Sequence, residues 1–181
     1  DNTVTLTKDA QSLTYIFEEK EKQAASIQAP TNKVPVKNTT ALTDDEKSSV
    51  EAAVKAVNPK ASKVEVATDG AATVTFEDGS TATLPGAKTV KEAASKGVQE
   101  PAAKTPVQNT SALTQPEKDA VKKAVEDANQ TATKVEVGND GSATVTFPDG
   151  STATLPGAKT VKEAASKGVQ EPAAKTPVKD T

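Results

Sequence analysis

The chain has 181 residues and contains no His, Cys, Met or Trp. All 22 of its basic residues are Lys, so Arg is absent too. Without His the commonest general base and the commonest metal ligand are missing. Without Cys there is no thiolate nucleophile, zinc-thiolate site or disulfide. Without Arg there is no bidentate fork for guanine or phosphate, and a pI near 5.2 removes the attraction on which nucleic-acid binding depends. A nucleic-acid partner is therefore not expected. No apolar run approaches the roughly 18 residues of a membrane span, and no charged-then-apolar leader opens the chain. Because even position 1 is not Met, the expectation is a piece of a longer protein whose export signal and anchor, if any, lie outside it.

Large apolar side chains are few: 20 Val, 6 Leu, 2 Ile and 3 Phe, with a single Tyr. That share would suit disorder if net charge were large, but 22 Lys against 25 acidic residues leave only −3. Several small folded units with thin, Val-rich cores fit this balance better than one large core.

The sequence repeats itself. Asp78 to Val107 recurs unchanged at Asp149 to Val178, an offset of 71 residues. Upstream the match is looser but in register: Ala41-Leu42-Thr43 with Ala112-Leu113-Thr114, Glu46-Lys47 with Glu117-Lys118, and Lys63 to Val66 with Lys134 to Val137. Packing requires only the apolar pattern to persist, so identity that extends to solvated Lys, Glu and Gln indicates recent duplication within a larger array.

Each copy opens with a helix. Thr43 and Glu46, and again Thr114 and Glu117, have the spacing of a capping box. Val50, Ala53, Val54 and Val57, like Val121, Ala124, Val125 and Ala128, fall at i, i+3, i+4 and i+7 and give one narrow apolar stripe. Asn58-Pro59 stops the first helix and Asn129 marks the same end in the second. Three short strands follow, with alternating apolar positions at Val64 and Val66, at Ala72, Val74 and Phe76, and at Ala82 and Leu84. Two-residue turns at Asp69-Gly70 and Asp78-Gly79 would place apolar groups opposite polar ones. Three-residue loops Thr68-Asp69-Gly70 and Glu77-Asp78-Gly79, each a type I turn closed by a left-handed glycine, instead pair Val66 with Ala72, Val64 with Val74 and Val74 with Ala82. One face becomes uniformly apolar, and the helix covers it.

After Leu84-Pro85-Gly86, Thr89 and Glu92 have capping-box spacing again, so a short helix ending near Gly97 is expected. Residues 98–106 hold two prolines and almost nothing to bury, and read as a semi-rigid extended connector. Val34 and Val36, with Val107 as the counterpart of Val36, suggest an edge strand. Residues 1–30 read as lying outside the repeat. Val4 and Leu6, then Leu13, Tyr15 and Phe17, alternate like the closing hairpin of a preceding domain, and the charged tail Glu18 to Ala25 is compatible with a helix.

The fold expected is α+β: two tandem small domains, each a capped helix on a three-stranded antiparallel meander. The expected division is 1–30 as a preceding hairpin or extension, 33–97 as repeat 1, 98–106 as a Pro/Ala/Lys-rich linker, 107–168 as repeat 2 and 169–181 as the start of a next linker.

The stretch "ALTDDEKSSVEAAVKAVNPKASKVEVATDGAATVTFEDGSTATLPG", a capped helix followed by Asp-Gly hairpins ending in Leu-Pro, resembles tandem repeats of cell-wall-anchored surface proteins of Gram-positive bacteria, including Rib/alpha-like stalk proteins. The opening "DNTVTLTKDAQSLTYIFEEKEK" is similar to the final strands of mucin-binding-protein (MucBP-like) domains. The first resemblance spans residues 33–181 and the second about twenty residues. Together they imply an extracellular, wall-anchored adhesin in which the repeats hold an adhesive head away from the cell.

Candidate chemistry is sparse. Asp69, Asp78, Asp140 and Asp149 recur before Gly and invite a calcium reading, yet the turn explains each, and the alternating oxygen ligands of a calcium loop are missing. Ser80 and Ser151 have no histidine base and read as strand residues. Lys–Asn isopeptide crosslinks, which the family analogy implies, find no Lys, Asn and acid in an evident apolar setting. No catalytic, cofactor or metal residue is expected, and no cofactor. The expected role is a non-catalytic stalk whose partners are neighbouring repeats of the same chain. The alternative is a set of repeats that themselves bind host mucin, matrix or serum proteins by avidity, a reading weakened by the lack of Trp and Arg anchors.

Overall fold

The structure, a computed structural model, describes residues 2–8, 11–17 and 19–170, the first two stretches in backbone only. The chain divides into two units, Asp1–Lys91 and Glu92–Thr181.

In the first unit, β1 (Asn2–Lys8) and β2 (Gln11–Phe17) pair antiparallel, with Leu6 opposite Leu13 and Val4 opposite Tyr15. This is the pairing the alternation calls for; the residues that join the strands lie outside those described. A single 3-10 turn at Gln23–Ser26 follows, so the expected charged helix is reduced to one turn. Then come β3 (Val34–Val36), α1 (Asp44–Val57), β4 (Ala61–Val66), β5 (Ala72–Phe76) and β6 (Thr81–Leu84). A one-turn helix α2 (Gly86–Thr89) leads into β7 (Val90–Glu92).

The second unit repeats the order. A 3-10 turn at Ala94–Gly97 precedes β8 (Thr105–Val107), α3 (Gln115–Ala128), β9 (Lys134–Val137), β10 (Ala143–Thr146) and β11 (Thr152–Leu155). A one-turn α4 (Gly157–Thr160), β12 (Val161–Glu163) and a third 3-10 turn at Ala165–Gly168 complete it.

Each helix starts where its capping box places it. Glu46 N–H donates to Thr43 Oγ1 at 3.2 Å while Thr43 N–H donates to Glu46 Oε1 at 2.9 Å, and Thr114 with Glu117 does the same. The glutamates do more than cap: Glu46 Oε2 accepts from Lys37 N–H at 2.8 Å and Glu117 Oε2 from Gln108 N–H at 2.8 Å, tying the residue after β3 or β8 to the helix start. Val50 and Val54, and Val121 and Val125, are fully buried on the sheet-facing stripe.

The meanders have the expected register. Val64 pairs with Val74, Val66 with Ala72 and Val74 with Ala82; in the second unit Val135 pairs with Val145 and Val145 with Ala153. Gly70, Gly79, Gly141 and Gly150 all take φ near +80°, the left-handed bulge that closes each loop. Each core is small. In the first unit it gathers Val36, Leu42, Val50, Val54, Val64, Ala72, Val74, Phe76, Leu84 and Val90, and in the second the ten corresponding residues.

Three sequence expectations are corrected. Thr89 does not cap a helix: it ends α2, and its buried hydroxyl donates to the Gly70 carbonyl. The β-branched Val90 then runs as strand β7, buried in the core. β3 pairs with β7, and β8 runs parallel to β12, in separate two-stranded sheets rather than along the meander edge.

The third correction concerns residues 98–106. Read as a semi-rigid extended connector, they are packed within the second unit: Pro101 is buried and Val98 lies against the core. Lys159 also reaches Glu100 at 3.2 Å. Residues 23–30, read as outside the repeat, occupy the same place in the first unit, with Ala24 and Ile27 against its core and Pro30 buried. The physical reason is that small side chains and proline let this lead-in lie flat on the sheet end, at little entropic cost.

Candidate functional site

Of the residues that invited a catalytic or metal reading, Asp78, Ser80, Asp149 and Ser151 are occupied in holding the lead-in. Asp78 Oδ1 accepts from Ser80 N–H at 2.9 Å within its turn, as expected of a turn aspartate, while Oδ2 accepts from Gln23 N–H at 2.8 Å. Ser80 Oγ accepts from Ala24 N–H at 3.0 Å. In the second unit Asp149 Oδ2 accepts from Ala94 N–H at 2.8 Å and Ser151 Oγ from Ser95 N–H at 2.9 Å. The first amides of a helical turn have no partner within it, and no local side chain caps these turns. The Asp-Gly-Ser loop supplies the cap from more than fifty residues away. Asp69 and Asp140 have only the local role, accepting from Ala71 N–H and Ser142 N–H, each at 3.0 Å.

A second clamp sits at the end of each long helix. Asn58, 5 % exposed, accepts from Gln28 N–H at 2.9 Å through Oδ1 and donates through Nδ2 to the carbonyls of Gln28 at 2.9 Å and Val54 at 2.8 Å. Asn129 makes the same three bonds with Gln99 and Val125. Among the described residues no buried polar side-chain atom lacks a partner.

The gathered carboxylates titrate low for geometric reasons. The Gln23 amide, then the Ser80 hydroxyl and amide, hold Asp78 down at about 2 from its ordinary value of 3.8. The Ser142 hydroxyl and amide lower Asp140. Slight burial pushes Glu46 upward, but the Thr43 and Lys37 amides outweigh it and hold it low; the Thr114 and Gln108 amides do this for Glu117.

Because the folded-state value of Asp78 is depressed, its stabilising contribution is complete above the unfolded value and is lost as pH falls from about 4 toward about 2. Acidification through that window is expected to loosen Gln23–Gln28 before the meander opens, read as earlier exchange of the Gln23 amide. Asp78→Asn is expected to weaken the lead-in at neutral pH and remove the dependence. An unchanged profile in the variant would refute the assignment.

Among the described residues no three or more Asp, Glu, His or Cys gather as metal ligands. A depression of about 430 Å³ in the first unit is lined by Lys20, Lys22, Gln23, Val57, Pro59 and Phe76 among others. No described helix is long and apolar enough to cross a membrane.

No curated protein matches the chain. Among solved structures, the sialic acid binding region of the Streptococcus sanguinis SK1 adhesin bound to 3'sLn is similar at 18 % identity and a TM-score of 0.39, covering 86 % of this chain and 71 % of that one. The SrpA adhesin of Streptococcus sanguinis is 30 % identical with a TM-score of 0.37, over 53 % of this chain and 50 % of that one. A GspB Siglec domain is 22 % identical with a TM-score of 0.37, over 52 % and 56 %. The aligned part thus spans about half the length of the last two. The atypical Rib domain profile matches at residues 25–93 and again at 96–164, two spans that begin in the lead-ins and end after β7 and β12. The chain therefore belongs to the atypical Rib domain family and carries two tandem copies of that domain.

Proposed function

We propose that this chain is a non-catalytic spacer of a bacterial cell-surface adhesin, extracellular and wall-anchored in the whole protein, whose copies set the reach of an adhesive head. The observation that supports this most is the short join between copies. β7 of the first unit ends at Glu92 and the lead-in turn of the second begins at Ala94. The residues expected to form a semi-rigid extended connector are used inside a fold, so each copy adds a folded module of 71 residues. The Asp, Ser and Asn side chains that looked functional are consumed in building that module.

A spacer binds nothing on its own account at any valency. The chain, tested singly and clustered on beads against immobilised mucin, matrix glycoproteins and sialylated glycans, is expected to give no retention above a carrier-protein control. Retention that grows with clustering would favour the repeats as weak multivalent binders instead.

A further inference from the structure

The surfaces of the two copies have diverged unevenly. Every fully exposed position of α1 differs from its counterpart in α3: Ser48 corresponds to Asp119, Ala52 to Lys123 and Ala56 to Asp127. The helix even reverses an ion pair, since Glu51 with Lys55 becomes Lys122 with Glu126. The outer face of the meander, opposite the buried side that the helix covers, does not change. It presents Lys63 and Glu65 from β4, Thr73 and Thr75 from β5, and Thr81 and Thr83 from β6. The second unit has the same six residue types at Lys134, Glu136, Thr144, Thr146, Thr152 and Thr154. Register sets them in two rows, Glu65-Thr73-Thr83 and Lys63-Thr75-Thr81, with Thr73 Oγ1 3.1 Å from Thr83 Oγ1. Folding accounts for the threonines, which favour strands, but not for the charges. Lys and Glu are depleted in strands, and the Lys63–Glu65 pair, with both side chains 63 % exposed, contributes little to stability.

We propose that this face is an interaction surface, and that its partner is the same face on a second copy of this chain. The pattern is self-complementary. A two-fold axis lying between two such faces, perpendicular to the strands, sets Lys63 of one chain over Glu65 of the other and Glu65 over Lys63, with Thr75 over Thr73 and Thr81 over Thr83. Because both units keep one order of charges along the strand, any face matches any other. The reversal seen on the helix would here put like charges opposite each other whenever a first-unit face met a second-unit face. Six polar side chains a side bury far less than a stable dimer needs, so a single contact is weak, with a dissociation constant of roughly 1 mM. It therefore operates where chains are crowded. The inference goes beyond the spacer reading and does not depend on it, since the partner is the chain itself and a stalk that retains no mucin or glycan can still associate with its neighbours.

The test uses the full chain and a charge swap. Sedimentation equilibrium of the wild type at low salt, from about 0.1 to 2 mM, is expected to show self-association. Lys63→Glu with Lys134→Glu, and separately Glu65→Lys with Glu136→Lys, place like charges opposite one another, and each pair of changes is expected to weaken association by about tenfold or more. An equimolar mixture of the two variants is expected to recover association to within about threefold of wild type, because each carboxylate then meets an ammonium across the interface. Mixing does not return either variant's own Lys–Glu pair, so recovery reports contact between chains and not a repair of folding. A wild type that stays monomeric through this range, or variants that mix without recovery, would overturn the proposal. Amide NMR shifts of the wild type against concentration need no variant: changes are expected at Thr73, Thr75, Thr144 and Thr146, and changes confined to α1 and α3 would equally overturn it.

Discussion

Gly157→Ala is expected to remove most of the stability of the second unit while leaving the first intact. A Cβ at this position would lie 2.1 Å from the Asp140 carbonyl oxygen, a backbone atom fixed in the loop that closes β9 onto β10. A flexible side chain could yield, but here the loop or α4 must move. α4 holds Thr160, whose buried hydroxyl bonds back to the Gly141 carbonyl, so the displacement spreads to the core edge. Strain of this kind costs about 3 kcal/mol or more. For a unit of this size that lowers the midpoint by roughly 12–24 °C. Two other glycines serve as controls. Gly150 has φ +81 but open space around its Cβ, so Gly150→Ala is expected to cost only the left-handed strain, about 1–2 kcal/mol. Gly168 has neither constraint, and Gly168→Ala is expected to be neutral. Thermal unfolding followed by residue-resolved NMR ranks the three, and equal effects would refute the steric assignment.

Asn129→Ala is expected to be nearly as damaging, by a different route. It strands the amide and carbonyl of Gln99 and the Val125 carbonyl at the end of α3. Water can reach part of this site once the side chain is gone, so about 2–4 kcal/mol is expected from three lost bonds, of which the buried one to Val125 weighs most. Small domains hold few kcal/mol in reserve, and the lead-in then detaches. Asn58→Ala should do the same to the first unit and leave the second unchanged. Loss of both melting transitions in either single variant would show that the two units do not fold on separate cores.

The contrast between what was legible and what was not follows from the range of each interaction. The capping boxes at Thr43 and Thr114, the Val50 and Val121 stripes and the glycine-closed loops are decided by residues a few positions apart, and the register follows from which face must be apolar. The lead-in is decided at long range. Ala94 and Asp149 are 55 residues apart, and Gln99 and Asn129 are 30 apart. Asp149 and Asn129 each have an obvious local duty, turn and helix end, which hides the second bond each one makes. Thr89 illustrates the converse: its spacing to Glu92 matches Thr43 to Glu46, yet the buried Val90 between them commits the backbone to a strand. A signal for the lead-in was present in the internal comparison. Ile27-Gln28-Ala29-Pro30 aligns with Val98-Gln99-Glu100-Pro101 at the same 71-residue offset, so the copy begins upstream of β3.

The depressed carboxylates have a structural rather than a catalytic cause. Asp78 donates no proton and sits by no nucleophile but its own loop serine, which is hydrogen-bonded to it and to the lead-in. Its ionised form is favoured because backbone amides aim at it, the same chemistry that makes aspartate a good helix cap. The same loop in the second unit holds the second lead-in.

Amide hydrogen exchange of the intact chain tests most directly the central point, that each copy begins with a lead-in locked into its own fold. The Gln23, Ala24 and Gln28 amides, and the Ala94, Ser95 and Gln99 amides, are expected to be protected to nearly the degree of the clasped helix ends in their own units. The Ala165 and Ser166 amides, which have no acceptor among the described residues, are expected to exchange faster than the Ala94 and Ser95 amides. If residues 94–99 instead exchanged as fast as residues 165–166, the stretch between the copies would be the free connector, and the account given for these repeats would be contradicted.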